Sequence, residues 1–123
     1  MSGKTHVLIA DDSAIIRKII EKSIGKDKFE VIGIADNGVN ALEQFKEKLP
    51  EVVTLDLTMP EMDGLSVLDE MIKIKPDVNV IVISALTDKA TGIEAIRKGA
   101  KFFIPKPFTP EDVQKALEKF AIN

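Results

Sequence analysis

A chain of 123 residues, 45% apolar and 30% charged, has room for one domain with the makeup of an ordinary globular protein. A formal charge of −3 gives no basis for nucleic-acid or anionic-membrane binding, both of which favour a basic face. The absence of cysteine excludes disulfides, thiolate metal sites and cysteine nucleophiles, and no apolar run approaches the ~20 residues of a membrane span. The short polar start Met1-Ser2-Gly3-Lys4-Thr5-His6 reads as carrying no signal peptide, so a cytoplasmic location is expected.

In chain order, short apolar runs alternate with segments of helical period. His6–Ala10 predicts a strand that ends in Asp11-Asp12-Ser13. Ser13 is a candidate N-cap for a helix whose face carries Ile16, Ile20 and Ile24, with Ile15 and Ile19 beside them. Val31–Ala35 predicts the second strand, followed by a turn at Asn37-Gly38 and a helix striped by Leu42, Phe45 and Leu49. Val52–Leu55 predicts the third, ending in Asp56-Leu57-Thr58-Met59-Pro60, and Leu65, Leu68 and Ile72 mark the helix after it. Val78–Ile83 predicts a fourth strand that ends in Ser84-Ala85. It is apolar without alternation, as suits a parallel strand covered on both faces. Ile93 and Ile96 give its helix a shorter stripe, with Gly99 at the expected stop. Phe102–Ile104 predicts the fifth strand, ending in Pro105-Lys106-Pro107-Phe108. Pro110 suits the first turn of a last helix that carries Val113, Ala116, Leu117 and Phe120.

Strict alternation predicts an α/β fold: a parallel sheet with right-handed crossovers, and a ligand site at the carboxyl ends of the strands. Asp11, Asp12, Asp56, Ser84 and Lys106 all fall at such ends. Two carboxylates about 5 Å apart repel by roughly 3 kcal/mol at an effective dielectric near 20, so three together call for a proton or a cation. Oxygen ligands without histidine or cysteine suit magnesium rather than zinc. Each residue also has a plainer role: loop acids before a helix, a helix-start serine, a solvated lysine. Their joint occurrence at four strand ends favours a functional site.

These residues resemble the receiver domain of bacterial and archaeal response regulators, in its stand-alone chemotaxis form. The matching segments are Asp11-Asp12-Ser13, Ala35-Asp36-Asn37-Gly38, Asp56 with Met59-Pro60-Glu61-Met62-Asp63-Gly64, Ser84-Ala85, Gly99-Ala100 and Lys106-Pro107-Phe108. The resemblance implies a flavodoxin-like (βα)5 fold with strand order 2-1-3-4-5, and one receiver domain over residues 1–123 without an output domain. It implies Asp56 as phosphoacceptor. Mg2+ would be held directly by Asp12, Asp56 and the backbone carbonyl of Thr58, and by Asp11 through water. Ser84 and Lys106 would contact the phosphoryl group, and the Lys106–Pro107 bond would be cis. Phe103 would turn inward as Ser84 moves, switching a surface of helix four, strand five and helix five. The implied partners are a histidine kinase, a phosphatase and a phosphorylation-dependent target, either a motor switch component or a phosphotransfer protein. The resemblance thus points to a monomeric phosphoacceptor signalling protein that assists its own phosphorylation and dephosphorylation, rather than an enzyme.

Thr58 and Leu86 hold the two positions that tune loss of the phosphoryl group in the family. Apolar Leu86 cannot position a water, so hydrolysis slower than with Glu is expected. Pro105 lacks an N–H and fits an edge strand, where it hinders extension of the sheet. Phe103 lacks the hydroxyl of a Tyr, and His6 has no assigned role. A magnesium-dependent phosphohydrolase with an aspartyl nucleophile is the alternative of another class; its two Asp are normally one residue apart, whereas Asp11 and Asp12 are adjacent. A flavodoxin-like nucleotide binder is disfavoured because Asp11-Asp12 repels phosphate. A degenerate receiver is disfavoured by the complete residue set, and a phosphorelay intermediate is the alternative within the family.

Overall fold

The computed structural model describes residues 3–59, 63–85 and 89–121. Leu86 and the motif residues Pro60, Glu61 and Met62 lie outside them. The elements are β1 Thr5–Ala10, α1 Ala14–Ser23, β2 Phe29–Ala35, α2 Gly38–Lys48, β3 Val52–Leu55, α3 Gly64–Ile74, β4 Asn79–Ala85, α4 Lys89–Arg97, β5 Phe102–Lys106 and α5 Pro110–Glu118. All pairings are parallel, in the order β2-β1-β3-β4-β5. The flavodoxin-like arrangement expected from the sequence is therefore the observed one. No helix among the described residues is long and apolar enough to cross a membrane.

Helices on both faces bury the inner strands, so these strands read as unbroken apolar runs. Phe45, Val53, Leu55, Leu68, Met71, Val82 and Ala95 belong to the core on the side of α2, α3 and α4. Ile9, Ile20, Val52, Ile81, Ile83, Val113 and Leu117 belong to the core on the side of α1 and α5. Helix ends are closed locally. Ser13 Oγ accepts from Ile16 N at 3.2 Å and Asn37 Oδ1 from Asn40 N at 2.7 Å. Thr109 and Asp112 form a reciprocal capping box ahead of Pro110. Gly99, at φ +119°, takes the backbone past the end of α4 where a side chain would be strained.

Two expectations need correction. The apolar runs stop at Ile83 and Ile104, yet β4 continues to Ala85 and β5 to Lys106, with Ser84 opposite Pro105 and Ala85 opposite Lys106. Pairing needs only backbone amides and continues after the side chains turn polar. Ile93 and Ile96 were expected on a buried stripe, but they are 57% and 45% exposed. The inner face of α4 is made of small residues instead. Ala95 is fully buried, and a Cβ on Gly92 would sit 2.9 Å from the Phe103 ring, so the bulky side chains flank the contact.

Both sheet edges are blunted. On β2, Gln44 Nε2 donates to Ile34 O and Lys48 Nζ to Ile32 O, each at 2.8 Å. Gly33 leaves room for them; a Cβ there would run into Gln44 Oε1. Register slips between Val7 and Leu8, which bends this edge further. On the opposite edge Pro105 lies within β5 and brings no N–H.

Candidate functional site

The ladder itself delivers two of the acids. Asp11 N donates to Ala35 O at 3.0 Å and Asp56 N to Ala10 O at 2.9 Å, so each residue is held by its neighbouring strand just past its own. Asp11 and Asp56 are each only 1% exposed, while Asp12 faces solvent. One carboxylate oxygen from each of the three lies within 4.8 Å of the others.

The two oxygens of Asp56 are differently engaged. Oδ1 accepts from Thr58 N at 3.0 Å and from Thr58 Oγ1 at 2.8 Å, while Oδ2 faces Lys106 Nζ at 3.4 Å. Asp11 Oδ1 accepts from Ser13 N at 2.9 Å. Its Oδ2 lies 3.2 Å from Lys106 Nζ, at an angle that makes an ion pair but no hydrogen bond. Lys106 reaches the acids from the end of β5, just before the cis Lys106–Pro107 bond that the resemblance implies. Ser84 Oγ, on neighbouring β4, is buried and has no hydrogen-bond partner among the described residues.

Electrostatics follows from this geometry. Burial is the main force that pushes the Asp11 carboxyl above its ordinary range; the Ser13 N–H works against it, and the nearby Asp56 charge adds to it. For the Lys106 ammonium, burial alone would lower the pKa. The charges of Asp11 and Asp56, both close to the ammonium, outweigh burial and raise it. One ammonium does not neutralise two buried carboxylates and an exposed third. The surplus charge, the all-oxygen donor set and the Asp11 Oδ2 atom without a hydrogen bond fit a hard divalent cation.

The fold thus gathers Asp11, Asp12, Asp56 and Lys106, with Thr58 bonded to Asp56 by its side chain. Phe103 lies further along the β4–β5 side, half-buried, with its ring against Gly92. His6 stays apart, near the start of β1 and 3.8 Å from the Glu30 carboxylate. Arg17 escaped the sequence reading, and Gly64 appeared there only within a matching segment, with no structural role. Arg17 Nη1 donates to the main-chain carbonyl of Asp11 at 2.7 Å. Gly64 sits so close to the Leu57 backbone that a Cβ would overlap it. The Arg17 contact had a signal: side chains tilt toward a helix N-terminus, so a long residue one turn after an N-cap can reach the preceding loop.

Comparison with known proteins agrees with this geometry. The family described as Response regulator receiver domain matches residues 7–118. "Chemotaxis protein CheY" of Thermotoga maritima is 49% identical over 114 residues, which span 93% of this chain and 95% of that protein. The protein of the same name in Bacillus subtilis is 43% identical over the same shares. Among solved structures, the CheX–CheY–BeF3–Mg2+ complex of Borrelia burgdorferi matches with a TM-score of 0.87 and 33% identity, over 94% of this chain and 87% of that one. An acidic cluster at the strand ends of a 2-1-3-4-5 sheet and a family match across nearly the whole chain lead to one conclusion: this chain is a receiver domain of the response-regulator family, closely related to the CheY proteins.

Proposed function

We propose that this chain is a stand-alone, phosphorylation-activated response regulator of chemotaxis, and that Asp56 accepts the phosphoryl group from a histidine kinase. The observation that carries this is the placement of Asp56. It is a buried carboxylate held between Thr58 and Lys106, with Asp11 and Asp12 beside it and, on the next strand, the Ser84 hydroxyl, which has no partner among the described residues. The likeness to CheY proteins over 95% of their own length supports a regulator of that kind.

In the reaction a carboxylate oxygen of Asp56 attacks phosphorus, an O–P bond forms, and the N–P bond to the donor imidazole breaks. Thr58 holds one carboxylate oxygen with two donors and so orients the other. Lys106 supplies positive charge where the phosphoryl oxygens gather. Asp12, Asp56 and the Thr58 carbonyl, with Asp11 through water, would hold Mg2+, which would supply positive charge to offset the acids. The Ser84 hydroxyl, which has no partner among the described residues, can donate to the new acceptor oxygens. Its movement would pull on β4 and let Phe103 reposition against Gly92, altering α4 and β5.

The target is a protein that reads this surface, such as a motor switch component; the Borrelia CheY complex makes a CheX-like partner another reasonable ligand. The test is incubation with acetyl phosphate and Mg2+, followed by intact mass spectrometry. The wild type should gain one acid-stable, hydroxylamine-labile phosphoryl group, and Asp56→Asn should gain none. Equal labelling of Asp56→Asn would overturn the assignment.

A further inference from the structure

The loop joining β1 to α1 carries two of the three rim acids, and it is held at few points. Asp11 is fixed by its own N–H, its Oδ1 and its carbonyl oxygen. The first two bonds involve backbone that any similar loop would use. The third comes from a side chain one turn into α1: Arg17 Nη1 donates to Asp11 O at 2.7 Å, a short charge-assisted bond. Arg17 is half-buried, so its stem lies along the helix rather than waving in solvent.

We propose that Arg17 is a positioning residue for the acidic rim. It fixes the rigid peptide unit between Asp11 and Asp12, and with it the direction in which Asp12 leaves the backbone. Asp12 is exposed, so its aim depends on that backbone more than on packing. The inference rests on the cation-binding reading of the three acids. It also sets two effects of Arg17 against each other. As a positive charge near a cation site, Arg17 opposes Mg2+; as the anchor of the Asp11 carbonyl, it preorganises the ligands. The sign of its net effect therefore separates the two roles.

The experiment is calorimetric Mg2+ binding to the unphosphorylated full chain, comparing wild type with Arg17→Met and Arg17→Gln. Metal-free amide and carbonyl NMR shifts of Asp12 and Ser13 are recorded for each. The expected result for Arg17→Met is roughly ten-fold weaker Mg2+ binding, the low end for one lost hydrogen bond to a charged group, with displaced Asp12 and Ser13 shifts and dispersed spectra elsewhere. Arg17→Gln, uncharged yet able to donate, should recover most of the affinity. Unchanged or tighter binding in Arg17→Met overturns the proposal, and so does Arg17→Gln binding as weakly as Arg17→Met. If the wild type binds no Mg2+, the cation reading falls. The metal-free shifts then still decide the positioning role, which unperturbed Asp12 and Ser13 signals in Arg17→Met would overturn.

Discussion

Under α5, Val113, Ala116 and Leu117 are buried with Ile20, Ile81 and Ile104, and the helix start is closed by its capping box. At the ends of the same strands Asp11, Asp56 and Ser84 are buried just as deeply, yet like charges face each other and one hydroxyl has no partner among the described residues. In the first region propensity, capping and burial agree; in the second they conflict. The difference teaches that the rim is held in place by the rest of the fold, which supplies the stability the rim lacks. Substitutions in the two regions should therefore shift stability with opposite signs.

The largest effect belongs to the apolar side. Leu117→Ala should lose about 3 kcal/mol in urea denaturation, from lost burial and the cavity left behind, whether or not Mg2+ is added. A loss no greater than that of an exposed-residue change would break the comparison. Asp11→Asn should act the other way, gaining about 1 kcal/mol without metal, because removing one carboxylate relieves the repulsion with Asp56 at the cost of the Lys106 ion pair. Mg2+ should reverse the ranking by stabilising the wild type more. The pH dependence follows from the raised Asp11 carboxyl. The native state takes up its proton more readily than the unfolded chain does, so this contribution is fully present below 3.8 and is lost as pH rises through the higher folded value. Acidification across that window should therefore favour wild type relative to Asp11→Asn; an opposite slope would mean that the Lys106 and Ser13 contacts dominate. The smallest effect is expected for Ser84→Ala. It deletes a buried hydroxyl that has no hydrogen-bond partner among the described residues and should gain about 0.5 kcal/mol, measurable as a small rise in denaturation midpoint; a clear loss would show that the hydroxyl is satisfied.

Much of this was legible before the structure. Alternation of apolar runs with helical stripes gave the element order, because inner parallel strands cannot hide their hydrophobicity. Ser13 and Pro110 announced helix starts through local chemistry. The strand order came from the resemblance, since periodicity says nothing about which strands are neighbours. Harder to read was anything that depends on small residues or on backbone alone. Ala95 and Gly92 carry the inner face of α4, whereas its isoleucines misled the reading. Ser84 and Lys106 remain in strands because pairing outlasts the apolar pattern. At the site, the acids were visible as residue types in matching places. The Thr58 hydroxyl on Asp56 and the Arg17 bond to Asp11 exist only once the loops are folded.

The treatment of the two sheet edges has a consequence for dosage. An open parallel sheet offers bare strands at both ends, and two copies meeting at high concentration could extend one another. Here Gln44 and Lys48 occupy carbonyls on β2, and Pro105 withholds a donor on β5. More molecules can then be present without their sheets zipping together.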